Sequence, residues 1–206
     1  METAALTSFL FMGLALGVVH AFDPDHIAAV GGLSASKGNA QPLSVLRFGL
    51  QWSLGHGSAL LIIALTVFLA GRAIPVHLSE LAERSVAFVL IAIGLLALWR
   101  IFRRESSEGH SHYRLGAPLV GLLHGTAGSA PLLALIPISQ ISQPLVGVVY
   151  VLFFSAGVVL AMTTLGGVFA QSLRIIQRAD RRISALVQGL MAAFSLFLGL
   201  YLTFTA

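Results

Sequence analysis

Six long apolar runs constrain this chain more than any other feature, each near the ~20 residues a helix needs to cross a bilayer. They cover Ala5–Val19 with a continuation to Leu33, Phe48–Ala70, Val86–Phe102, Leu115–Ile138, Val146–Phe169 and Ala185–Phe204. The runs are continuous rather than alternating, so helices are expected and strands are not. Of 206 residues, 57% are hydrophobic and 10% charged, against about 25% charged in soluble domains. A water-soluble fold of this length would lack the polar surface to cover its exterior. The expected class is an all-α polytopic membrane protein with six transmembrane helices.

The polar residues sit between the runs. Ser34 to Gln41 reads as a loop closed by Pro42, Gly71 to Arg84 as a connection whose second part starts the third helix, and Arg103 to Arg114 as a polar loop with His110 and His112. The stretch Arg174 to Arg182 reads as a basic connection. Of the 12 Lys and Arg residues, all but Arg72 and Arg84 fall in loops one, three and five or at their edges. The positive-inside rule then places those loops in the cytoplasm and both termini outside, in a bacterial inner membrane. The net charge of +4 is a topology signal on this reading, and no nucleic-acid partner is expected. The N-terminus has no basic region and carries Glu2, so no secretory signal peptide is expected.

An internal repeat is expected. Gly17-Val18-Val19-His20 in the first segment matches Gly121-Leu122-Leu123-His124 in the fourth, and each is followed by small residues and a proline. Leu54-Gly55 in the second segment matches Ala156-Gly157 in the fifth, and Gly94 in the third matches Gly199 in the sixth. Three helices per unit require the two units to face opposite ways, a 3+3 inverted repeat. The chain is read as one transmembrane domain, residues 1–206. Repeat one covers about 1–104, repeat two about 115–206, and a His-containing polar loop about 105–114.

The chemistry concentrates in His20-Ala21-Phe22-Asp23-Pro24-Asp25-His26. A charged side chain at mid-membrane costs about 2.5–3.5 kcal/mol on insertion scales, so two carboxylates there need compensation, and a divalent cation supplies it. With no cysteine in the chain, ligands must be nitrogen and oxygen, a set that suits nickel, cobalt or zinc better than magnesium or calcium. On a regular helix His20, Asp23 and His26 share one broad face and Asp25 points away. Pro24 has no N–H for the carbonyl of His20, so a kink or an unwound stretch is expected, which would swing Asp25 toward the same centre. His56, between Gly55 and Gly57 inside an apolar run, is the nearest further candidate. His124, at the repeat-equivalent position of His20, is read equally well as a transit ligand or as part of a small-residue contact. Thr163 and Thr164 are candidates for lining a path. His110 and His112 read mainly as a solvated linker, and His77 is assigned no role.

The motif around His20, Asp25 and His26 resembles the signature of the nickel/cobalt transporter family. Leu54-Gly55-His56-Gly57-Ser58 is similar to that family's next-helix motif. The chain also resembles the shorter UreH-like urease accessory membrane proteins of the same superfamily, notably in His124-Gly125-Thr126-Ala127-Gly128-Ser129-Ala130-Pro131. The resemblance covers nearly the whole chain and implies metal recognition by His20, Asp25, His26 and His56. Family transporters usually begin with one more segment and carry an acidic motif in the second half, and neither is seen here.

The leading expectation is a permease, not an enzyme, whose transported substrate is a nickel or cobalt ion and which needs no organic cofactor. The candidate ligands are His20, Asp23, Asp25, His26, His56 and His124, and the lipid bilayer is the other partner. A homo-oligomer is compatible with the sequence. Two alternatives stand beside it. One is an intramembrane metallohydrolase with Asp23 as base; the other is a non-transporting accessory that delivers nickel to urease or hydrogenase maturation.

Overall fold

The computed structural model describes residues 3–36, 42–70, 76–103, 116–127 and 143–205. These form helices and no strand: α1 (Thr3–His20), α2 (Pro24–Ser36), α3 (Pro42–Ala70), α4 (Val76–Arg103), α5 (Gly116–Thr126), α6 (Pro144–Ala179) and α7 (Arg181–Thr205). Pro24, Pro42 and Pro144 open three of them, where a missing N–H costs nothing and the fixed φ favours the first helical residue. Five helices, α1, α3, α4, α6 and α7, are long and apolar enough to cross a membrane. With 13 and 11 residues, α2 and α5 reach only about 20 and 17 Å at 1.5 Å per residue.

The first apolar run is broken where proline was expected to break it, between His20 and Pro24. The basic stretch Arg174–Arg182 differs from expectation, because it is helical except at Asp180. It holds no glycine or proline, and arginine loses little side-chain freedom in a helix. Asp180 alone turns extended, and its Oδ1 accepts the Arg182 N–H at 2.6 Å, which caps the start of α7. Of the fourth run, Gly116–Thr126 is helical, and its continuation toward Ile138 lies outside the described residues. So do His110, His112, Ser129 and Pro131.

Away from the histidine cluster and its aromatic wall, many small residues face inward and many large ones outward. Ala28, Ala29, Ala64, Ala87, Ala97 and Ala192 are buried, whereas Phe11, Phe88, Phe197 and Phe204 are exposed. In water this arrangement would leave the apolar surface unburied; in lipid the large side chains meet hydrocarbon and the small ones let backbones approach. Composition and helix lengths together make this an integral membrane protein.

The close approaches come in matched pairs. A Cβ on Gly17 would meet the backbone of Phe154 in α6, and one on Gly157 would meet the backbone of Leu14 in α1. A Cβ on Gly55 would strike the Pro118 carbonyl in α5, and one on Gly121 the Trp52 carbonyl in α3. Gly94 lies against Ala192 and Leu196, and Gly199 against Ala87 and Ile91. The last pair also shows that α4 and α7 run antiparallel. The Glu83 end of α4 therefore meets the Thr205 end of α7, and Arg100, Arg103, Arg181 and Arg182 gather at the other end. Helix α2 packs against both α4 and α7.

These contacts predict a sharp contrast between glycines. Gly121→Ala and Gly157→Ala should each cost ~1–3 kcal/mol through overpacking against main chain. Gly189→Ala, with nothing within 4 Å of its Cβ, should be neutral or slightly stabilising. Thermal unfolding of the three variants in one detergent checks this, and equal melting temperatures would contradict it.

Candidate metal centre

The site begins with a missing hydrogen. Pro24 cannot donate to the carbonyl of His20, so α1 ends in two turns, Phe22 N–H to Val19 O at 3.0 Å and Asp23 N–H to His20 O at 2.9 Å. The chain restarts as α2 with the Ile27 N–H on Asp23 O at 3.1 Å. The His20 carbonyl takes a second donor from farther along, the Nδ1–H of His26 at 3.1 Å. A carbonyl only accepts, so Nδ1 of His26 carries the proton and Nε2 presents its lone pair.

The same logic orients two more imidazoles. His124 donates Nδ1–H to the Val120 carbonyl one turn back, at 2.8 Å, which leaves Nε2 as the free base. Nδ1 of His20 lies 2.9 Å from Oδ2 of Asp23; a carboxylate accepts there, and Nε2 of His20 faces inward. That Nε2 is 3.3 Å from Nε2 of His56. A second-shell oxygen on one ring nitrogen, freeing the other, is how proteins aim histidines at metals. Nε2 of His26, Nε2 of His124 and Nδ1 of His56 are buried without a hydrogen-bond partner. Unpaired polar atoms at such depth are costly unless something binds them.

The spacing suits a small cation. One ligand atom from each of His20, His26 and His56 lies within 4.8 Å of the others. Two nitrogens at 2.0–2.1 Å from a tetrahedral metal are ~3.4 Å apart, so the His20–His56 separation already fits, and closing the wider ones needs only modest movement. His124 stands beside this trio, its ring centroid 5.7 Å from that of His26, as a reserve donor on α5. Oδ2 of Asp25 lies 3.9 Å from Nε2 of His26, too far for a hydrogen bond. It is shorter than the ~4.1 Å sum of a metal–nitrogen and a metal–oxygen bond, so one ion can bridge both. Aromatic rings wall the cluster. Trp52 stacks on His56 with centroids 5.3 Å apart and meets His26 edge-on at 4.9 Å, and Phe154 lies 5.5 Å from His20.

Of the six candidates, the fold brings His20, His26 and His56 into one group, hydrogen-bonds Asp23 to His20, and sets Asp25 and His124 against His26. The break at Pro24 does carry Asp25 round to the cluster side. One acidic residue escaped notice. Glu83, half-buried on α4, shares a cavity of ≈ 380 Å³ with His20, Asp23 and Asp25. Its signal was available, because Glu83, Val86 and Leu90 are spaced as one helix face, and Val86 and Leu90 are buried.

Fold and cluster together define an all-helical membrane protein with a buried, imidazole-rich centre whose donor atoms are grouped as in a metal site. No protein-family model and no solved structure matches the chain. Its sequence is 34% identical over 198 residues to the urease accessory protein UreH of Bacillus sp. (strain TB-90), an alignment that covers 86% of this chain and 84% of that relative. The chain therefore belongs to the UreH family of urease accessory proteins, a family of accessory proteins and not of enzymes.

Two outcomes test the centre. Asp23→Asn should weaken nickel binding about 10- to 100-fold by releasing the orientation of His20, as measured by competition with a chromophoric chelator. In a Trp99→Phe background, where Trp52 is the remaining tryptophan, nickel should quench the emission of the indole stacked on His56. Saturating nickel without quenching would place the ion elsewhere.

Proposed function

We propose that the protein carries a divalent transition-metal ion, nickel foremost and cobalt as its near equivalent, across the membrane through this centre. The observation that carries the reading is the convergence of buried imidazoles, of which His20, His26 and His124 each have one ring nitrogen held by an internal oxygen and the other left as a free base. His20, His26 and His56 are the primary ligands, Asp25 a fourth, and Asp23 the orienting base for His20. His124 takes the ion over on α5. The metal is substrate, and lipid is the other partner.

The path calls for two helical units that trade places around a fixed centre. The reciprocal glycine contacts, α1 with α6, α3 with α5 and α4 with α7, support a 3+3 inverted repeat of six membrane-crossing segments, with α1 and α2 together forming the first. The units are about 1–104 and 115–206 within one domain, joined by the loop about 105–114. Rigid main-chain contacts suit rocking of one unit against the other. The arginines gathered at one end favour that end as cytoplasmic in a bacterial inner membrane, with both termini outside.

A second reading is favoured by the name of the relative: an accessory that hands nickel to urease assembly without moving it across the bilayer itself. The intramembrane hydrolase finds no comparable support. Flux decides between carrier and accessory. Purified protein in liposomes should accumulate radioactive nickel, and His56→Ala or Asp25→Ala should abolish this while leaving the amount of inserted protein unchanged. Tight nickel binding with no flux in the unaltered protein would establish the accessory role instead.

A further inference from the structure

Many hydroxyls in these helices are settled on their own main chain. Thr66, Ser85, Thr164 and Thr203 each donate to the carbonyl four residues back, the usual resting place of such a group in an apolar helix. Ser53, Ser155 and Thr163 do not. Their oxygens are buried and make no hydrogen bond, although each residue lies inside a helix with a carbonyl one turn back. Thr163 and Thr164, neighbours in sequence, are thereby told apart: Thr164 is exposed and tied to Leu160, whereas the Thr163 hydroxyl is buried and unpaired.

The three unpaired hydroxyls lie on one seam, where α3 packs on α6. Gly49, Ser53 and Gly57 are spaced four apart and share a face of α3. A Cβ on Gly49 would come to 3.5 Å from the Cα of Thr163, and one on Gly57 to 3.3 Å from Oγ of Ser155. That face is therefore turned on α6, and Ser53, fully buried, points into the seam between those two levels. The hydroxyls form a staggered row, Ser155, Ser53, Thr163, with steps of ~6 Å along the helices. Its inner end adjoins the imidazole centre from both sides, because His56 precedes Gly57, and Phe154, next to Ser155, lies 5.5 Å from His20. From there the row runs toward the Pro42 end of α3 and the Ala179 end of α6. The seam is also built differently from its neighbours. Across α1–α6 and α3–α5 a Cβ on Gly17, Gly157, Gly55 or Gly121 would strike main chain, whereas one on Gly57 would meet only the Ser155 side chain within 4 Å.

We propose that the α3–α6 seam is the aqueous route between the imidazole centre and the basic end of the molecule, with Ser53, Ser155 and Thr163 as ligands for water and for a passing divalent cation that keeps part of its shell. The inference deepens the metal-carrying reading and rests on it for what travels, though not for the hydration of the seam. In this structure the route is shut, and Trp52, Val158 and Met162 of the same two helices pack into one apolar cluster. Buried hydroxyls left unpaired are costly, and water entering the seam relieves that cost. Neutral hydroxyl oxygens can replace part of a cation's shell without holding it as imidazole and carboxylate do, and passage requires binding weak enough to release. The row also stands between α3 of the first unit and α6 of the second, so rocking of the units opens it.

The chain has no cysteine, so single thiols report on the seam. Ser53→Cys, Ser155→Cys, Thr163→Cys and the lipid-facing Thr164→Cys are reconstituted as full-length protein in liposomes. A cationic, water-soluble thiosulfonate is supplied on both faces, and modification is followed by mass spectrometry. Only a thiolate reacts, and a thiol kept in hydrocarbon stays protonated, so the three seam thiols should react about tenfold or more faster than Thr164→Cys. The adduct on Ser155→Cys should abolish the radioactive nickel accumulation that the unmodified variant shows. Seam thiols no more reactive than Thr164→Cys overturn the route, and if nickel still accumulates the carrier stands with its path elsewhere. Full accumulation after complete modification of all three overturns it too. Rapid modification in a protein that accumulates no nickel would sink the carrying reading and keep the water-bearing seam. Nickel binding by the unmodified variants reports that they are folded.

Discussion

The carbonyl oxygen of His20, deprived of its helical partner by the ring of Pro24, is the point from which the rest of the site is organised. In water such an oxygen would be solvated at little cost. At membrane depth it must find an internal donor, and it finds two, the Asp23 amide and the His26 ring. The first tightens the chain into a turn that brings the Asp23 carboxylate onto His20. The second sets the protonation and direction of His26. A single backbone vacancy thus orients two imidazoles and repositions two carboxylates, and the helix that restarts at Pro24 can pack against α4 and α7 while α1 packs on α6.

Much of this was legible in the residues. Six apolar runs, the proline break, the grouping of His20 with His26 and the participation of His56 all follow from local spacing and from the cost of placing ionisable groups in lipid. The repeated glycines were visible too, but their meaning was not: that Gly17 meets Phe154 and Gly121 meets Trp52 is a matter of which helices become neighbours. Glu83 was hidden for the same reason. In the connection from Gly71 to Arg84 it reads as part of a helix start, and only the antiparallel meeting of α4 with α7 and the seating of α2 beside them bring it to the cavity that Asp25 also lines. Arg174–Arg182 reads as a connection on charge density alone, whereas helix formation depends on backbone and rotamer freedom, which arginine scarcely disturbs.

Membership of the UreH family and the internal geometry bear on different questions. Kinship at 34% identity speaks for the shared fold and the accessory class. It does not say which ring nitrogens keep a lone pair. The tautomers do, since each is dictated by an oxygen that can only accept: the His20 carbonyl for His26, the Val120 carbonyl for His124, and the Asp23 carboxylate for His20. His56 alone has neither ring nitrogen tied to such an oxygen, which makes it the most adjustable donor in the group and the one whose ring is steadied by stacking on Trp52.

The glycine seams have a mechanical consequence. Where α3 meets α5, Gly55 faces the Pro118 carbonyl and Gly121 the Trp52 carbonyl, so main chain lies against main chain, and His56 and His124 belong to the two helices of that seam. Side chains can yield by changing rotamer; main chain held against main chain cannot. The spacing of the two helices is therefore fixed at those points, and changing the relation of one to the other requires sliding a whole helix along its neighbour. A displacement at one end of such a seam would be carried to the far ends of both rods.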